Sequence, residues 1–430
     1  MPVLEMTDMN MRGAAFCRYD GAAVFVPGCA DGDICEAELS PGGRNYLSGH
    51  LVSLITPSPH RCEPDCAVYG ECGGCSLRHI NYVHELEVKT RAVVQSFRKN
   101  GMTVSVSEIR GTSPEKYRNK AIFHNADARL VYYAAESRLP VYPSGGCALL
   151  PAEFEAIRVF CEDYFREHSL PFSLGLRMGD GGAVALTVIC GENDSVSEPF
   201  CAFSAAVSDN FEKIRSVYAC FGDPSSPGTP FVRLYGDEQL TVTAGGVKFG
   251  VSPSSFFQVN TEGASALCDE VYRMLSPRGG ERYADLYCGA GMFALSLAKR
   301  CPGARFTGIE INPDAICAAK ANAQANGIKS ARFLSGDTAA FPKELEGLDG
   351  AVVDPPRAGL NAKARWLLLK YAPSRIVYVS CNPETLARDV RELSEKYEIA
   401  DIRCVDMFPR TAHVETVVLM SQKQHTSNGA

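Results

Sequence analysis

Arg282-Tyr-Ala-Asp-Leu-Tyr-Cys-Gly-Ala-Gly291 decides the fold: a short apolar run ends in a glycine turn, and a helical pattern opens at Met292. Glycines in such a turn let the backbone approach a ligand closely. Residues 305–309 read as the next strand and end in Glu310, 21 positions after Gly289. At about that spacing an acidic side chain accepts from ribose hydroxyls. A third strand, 350–353, runs into Asp354-Pro-Pro-Arg357, whose two prolines make a stiff turn without backbone donors. Strands at 375–380 and 414–420 follow, with helical stretches between the earlier ones. This alternation predicts a doubly wound, mostly parallel α/β sheet. Ligands bind such sheets beyond the carboxyl ends of the strands, where Glu310 and Asp354 fall.

The strand at 375–380 leads into Cys381-Asn382-Pro383. Asn382 is a good N-cap and Pro383 suits the first helical position, so Cys381 is expected at a strand end just before a helix. A helix amino terminus lowers a thiol pKa, which would make this thiol reactive. A lone cysteine is more often inert core, but this one shares its sheet edge with two carboxylates. Glu415 interrupts the apolar run 414–420. A carboxyl there is costly unless paired or exposed, so an elevated pKa and general-base work are expected.

The chain has 430 residues, 46% of them hydrophobic and 22% charged, which suits a globular protein of two or three domains. No basic and apolar signal pattern opens it and no apolar stretch nears membrane-spanning length, so a cytoplasmic monomer without membrane contact is expected. Most of the 18 cysteines are scattered through apolar segments and read as reduced. Cys66, Cys72 and Cys75 stand apart in a glycine-rich loop, and Cys147 follows Ser144-Gly-Gly146 as a fourth donor. Such thiolates suit zinc or an iron-sulfur cluster equally, with Cys62 a bystander. A net charge of −7 argues against a global nucleic-acid surface. Locally, residues 87–120 carry eight Lys or Arg against three Glu, ending in Tyr117-Arg-Asn-Lys120. Basic groups beside a stacking-capable Tyr and an amide suit RNA phosphates and unstacked bases.

Five motifs together resemble the RNA 5-methyluridine methyltransferases, in the branch with a TRAM domain and an iron-sulfur cluster: Phe256-Phe-Gln-Val-Asn260, Asp285-Leu-Tyr-Cys-Gly289, Asp354-Pro-Pro-Arg357, Ser380-Cys-Asn-Pro383 and His413-Val-Glu415. The Cys72-Gly-Gly-Cys75 loop, Tyr117 to Lys120 and Cys147 match the same branch. The resemblance implies three regions: an OB-like TRAM β-barrel over 1–57, a central α+β domain with the cysteine cluster over 58–248, and a Rossmann-like class I methyltransferase domain over 249–430. It implies S-adenosylmethionine on Gln258, Tyr287, Glu310 and Asp354, with Asp337 an added adenine contact. It further implies Cys381 as nucleophile, Glu415 as base, and a [4Fe-4S] cluster on Cys66, Cys72, Cys75 and Cys147. Arg410 departs from the histidine or similar residue common after Met-Phe-Pro.

The implied reaction is C5-methylation of a uridine in 23S ribosomal RNA, with a transfer RNA uridine as the alternative. The target base must leave its stack to meet Cys381 and Glu415. Two other classes fit part of the pattern. Asp-Pro-Pro turns also occur in amino-group methyltransferases acting on adenine, which need no thiol, and a non-catalytic RNA-binding factor could retain the barrel and cluster. The pairing of Cys381 with Glu415 separates the first reading from both.

Overall fold

The computed structural model describes residues 1–423 apart from Glu136 and Pro227. The glycine turn lies where the sequence puts it: Arg282–Leu286 is a strand, and Met292–Arg300 is the helix after Gly291. The sheet built around this strand has the order 331–335, 305–310, 282–286, 350–353, 375–380, 415–422, 397–405, 108–110. The first five strands run parallel, and Glu415–Gln422 inserts antiparallel between two neighbours. Successive side chains alternate between two buried layers. Tyr283, Val352, Val377 and Val417 enter one, while Ala284, Val353, Tyr378 and Val418 enter the other. Burial on both faces explains why these strands read as continuous apolar runs.

Sheet membership crosses the boundary expected at residue 248. Glu108–Arg110 pairs in parallel with Tyr397–Val405 and forms the sheet's last edge. Helix Tyr82–Lys99, capped by Asn81, packs against helix Pro383–Leu393 through Val93 and Phe97.

Before this sheet stand three others, one of them the two-stranded ladder of Leu240–Ala244 with Val247–Val251. Residues 3–56 form six strands around Leu4, Val24, Val26 and Ala37, and among the described residues no backbone ladder joins the two edges. Residues 120–236 contribute a seven-stranded sheet, with helices Ala152–Glu167 and Glu198–Asn210 on one face. Among the described residues no helix is long and apolar enough to cross a membrane.

One buried charge network ties the amino-terminal part to the segment that follows Val405. Lys89 donates to Glu85 at 2.7 Å and Asp406 at 2.8 Å, and all three side chains are sealed from solvent. Arg410 has a left-handed backbone, with φ 68°. Its N–H donates to Glu85, and its carbonyl accepts from Ser76 and Leu77, just after Cys75. The Arg410 backbone thus joins the cysteine loop to the 407–415 segment, and its side chain donates to the Ile80 carbonyl. Removing one partner from a buried pair leaves a charge uncompensated. Lys89→Ala is therefore expected to lower stability by about 3 to 5 kcal/mol, read as an earlier midpoint in chemical denaturation.

Candidate active site

The carboxyl ends of the strands open into a cleft of about 1060 Å³. Gln258, Tyr287, Glu310, Asp354, Cys381 and Glu415 all line it. Glu310 accepts from the Gly289 N–H at 3.3 Å and the Asn312 N–H at 2.9 Å, joining the glycine turn to the end of its neighbouring strand. Gly289 has φ 53°, and no atom lies within 4 Å of where a Cβ would stand, so the turn leaves open space above it. Asp285 is buried below, with Oδ2 accepting from Ala294 and Oδ1 without a partner. Burial pushes its pKa up to about 8. Asp337 stands apart from the other expected cofactor residues. It is exposed, caps the turn Thr338–Ala340 by accepting from Ala339, and reaches the site only as a charge near Tyr287.

Backbone register brings together Cys381 and Glu415, the expected nucleophile and base. Ser380 pairs with Thr416 in an antiparallel ladder, so one step further places Cys381 opposite Glu415. Asn382 caps helix Pro383–Leu393, as its sequence predicts, by accepting from Glu384. Glu415 is 5% exposed. Burial first, and the Asp354 carboxyl second, push its pKa up to about 8. Burial also raises Asp354 to about 7. The expected lowering of the Cys381 thiol is corrected. Burial and then Glu415 push it up, and Arg357 pulls it down.

These carboxyls give the apo protein a pH signature. The fold holds their protons until about pH 7 to 8, whereas an unfolded chain releases them near about 4. Between those limits the folded state binds more protons, so stability falls as pH rises. Glu415→Gln keeps the neutral shape at every pH. It is expected to shrink the drop in melting temperature between about pH 5 and about pH 8; an unchanged drop would mean that Glu415 ionises normally.

The Tyr117–Lys120 segment needs a second correction. Tyr117 is buried and donates to the Pro409 carbonyl, so it is not free to stack on RNA. Asn119 donates to the Gln258 carbonyl and to Thr261, clamping the Phe256–Asn260 segment. Arg118 does face the cleft, and Phe256, 81% exposed, stands at its edge. Two cleft residues received no role from sequence, Arg357 and His413, although they lie three and two positions from Asp354 and Glu415. Their side chains meet at 2.9 Å.

Cys66, Cys72, Cys75 and Cys147 line one cavity of about 450 Å³, which shares Gly74, Cys75 and Arg118 with the cleft. All four are free thiols, and Arg78 lies 3.4 Å from the Cys75 sulfur. Among the described residues no three His, Cys, Asp or Glu side chains stand close enough to hold one metal ion. Cys62 is not part of the lining; its thiol contacts the Arg78 carbonyl.

Residues 230–423 match the family model described as tRNA (uracil-5-)-methyltransferase. An RNA methyltransferase of Halalkalibacterium halodurans is 30% identical over 98% of this chain and 97% of its own length. Another, from Porphyromonas gingivalis, is 32% identical over 97% and 99%. The chain belongs to the RNA uracil-5-methyltransferase family. Among solved structures, the tRNA (uracil-54, C5)-methyltransferase of Pyrococcus abyssi, in complex with S-adenosyl-L-homocysteine, superposes with a TM-score of 0.78. It is 26% identical, and the match covers 97% of this chain and 100% of that one. This RNA uracil-5-methyltransferase is an S-adenosylmethionine-dependent enzyme with an α/β methyltransferase fold.

Proposed function

We propose that this enzyme methylates C5 of one uridine in 23S ribosomal RNA through a bond between the Cys381 sulfur and uracil C6. The observation that carries the reading is the register that sets Cys381 opposite Glu415 inside the cleft. Uracil C5 is a poor nucleophile. Addition of the Cys381 thiolate to C6 pushes the ring electrons toward C5 and O4, and C5 can then take a methyl group. Glu415 removes the C5 proton, and the returning electrons expel the thiolate. A carboxyl held near about 8 is well matched to this proton transfer near neutral pH.

S-adenosylmethionine, when bound, supplies an electrophilic methyl group. Gln258, Tyr287, Glu310 and Asp354 are the residues to hold it, with Asp337 an outer contact beside Tyr287. The open space over Gly289 and the acceptors of Glu310 suit such a ligand. Cys66, Cys72, Cys75 and Cys147 are assigned to a [4Fe-4S] cluster. Four cysteine thiols lining one cavity are the donor type that such a cluster takes. The sheet over residues 3–56 is assigned as the TRAM module, an RNA-binding element.

A transfer RNA uridine is the second reading, favoured by the likeness to the Pyrococcus abyssi enzyme. Mass-spectrometric nucleoside mapping of RNA from cells lacking this protein decides between them. Loss of 5-methyluridine from 23S RNA, restored by wild type and not by Cys381→Ala, is expected. Loss from transfer RNA alone would keep the chemistry and change the target. No loss in either would overturn the assignment.

A further inference from the structure

We propose that Arg357 is the counter-cation of the Cys381 thiolate and that His413 is the positioning residue that holds its guanidinium there. The proposal rests on Cys381 being the nucleophile and adds what allows that half-buried thiol to ionise. Arg357 closes the Asp354-Pro355-Pro356 turn, and its backbone is fixed to the element that follows the nucleophile. Its carbonyl accepts from Asn382 Nδ2 and from Thr385 Oγ1, both at 3.1 Å. These donors belong to the cap and first turn of helix Pro383–Leu393, immediately beyond Cys381.

The side chain is fixed from the other direction. Arg357 Nη2 lies 2.9 Å from His413 Nδ1 and 3.4 Å from Nε2. A guanidinium can only donate, so the nearer ring nitrogen accepts and the imidazole is neutral. Burial and the cations Arg357, Lys89 and Arg118 favour that neutral state. His413 and Glu415 are two positions apart, and both line the cleft. The same short segment thus carries the base and the hold on the arginine.

Charge balance makes the arrangement consequential. The groups acting on the Cys381 sulfur are Glu415 from the last strand and Asp354 and Arg357 from the proline turn. Two of the three are carboxyls, which oppose a thiolate, and the guanidinium favours it. Proton loss from Cys381 therefore leans on Arg357. A lysine would retain the charge but not the planar fork that can donate to histidine and face sulfur together.

The test is iodoacetamide alkylation of the full-length protein as a function of pH, without RNA, followed on the Cys381 peptide by mass spectrometry. Exposed Cys201 and Cys317 serve as references. Arg357→Ala is expected to move the Cys381 midpoint upward by about one to three pH units, and so to slow alkylation near pH 8 by about tenfold or more. Arg357→Lys should recover part of the shift. His413→Ala should move the midpoint in the same direction by less. Unchanged midpoints in Arg357→Ala and His413→Ala would overturn the proposal; a raised KM for RNA beside them would assign the arginine to phosphate binding. The alkylation profile requires no knowledge of the RNA target. If the shift appears yet Cys381→Ala still methylates RNA, the nucleophile assignment fails while the ion pairing stands.

Discussion

Cys381→Ala is expected to reduce methylation by at least about 10,000-fold while leaving the fold and S-adenosylmethionine affinity in place. The size of the loss follows from the chemistry. Without a thiolate on C6, uracil C5 carries too little electron density to attack, and Cys381 is the cleft cysteine that strand register sets opposite Glu415. The half-buried thiol stands just before the cap of helix Pro383–Leu393. Its removal deletes one atom at a cleft wall and leaves the Asn382 cap bond intact. Calorimetric titration with the cofactor and circular dichroism should therefore match wild type, whereas single-turnover transfer to RNA should vanish. RNA carrying 5-fluorouracil offers a complementary readout, because C5 then lacks a proton to lose. Wild type should remain covalently attached to it and Cys381→Ala should not. Substantial turnover by Cys381→Ala would return the amino-group reading to first place.

Glu415→Gln has a different signature. Attack on C6 and methyl transfer need no base at this position, but the methylated adduct cannot release the enzyme until its C5 proton leaves. Turnover is expected to fall by about 100- to 10,000-fold. Enzyme-bound RNA should accumulate as a species stable to denaturing electrophoresis and bearing one transferred methyl group. Glutamine preserves the volume and the neutral state that the buried carboxyl already occupies below about pH 8, so misfolding is not the expected cause of any loss. Continued turnover without a trapped species would move the proton-abstracting role to another group.

Much of the catalytic half was legible because its signals are local. Apolar runs, the glycine turn after Leu286, the Glu310 spacing and the Asn382-Pro383 cap each depend on a few neighbouring residues. What escaped depends on contacts distant in sequence. Glu108–Arg110 is too short to announce a strand, and its partner lies near the other end of the chain. Tyr117 looked like a stacking residue until the Pro409 carbonyl claimed its hydroxyl. The direction of the Cys381 shift was missed for a similar reason. A helix end can be read from three residues, whereas the opposing Glu415 arrives only through strand pairing.

The edge strand Glu108–Arg110 sets a limit on how this enzyme can be dissected. A fragment beginning near residue 249 would carry every catalytic residue proposed above, yet leave Tyr397–Val405 with open hydrogen-bonding groups along one side. It would also uncover the surface of helix Pro383–Leu393 on which Val93 and Phe97 rest. An open strand beside exposed apolar surface invites pairing with another copy. Linear excision therefore selects for aggregation rather than for a minimal catalyst, and a workable cut must fall upstream of Tyr82. The unit that folds here is a spatial one, assembled from two separated lengths of chain.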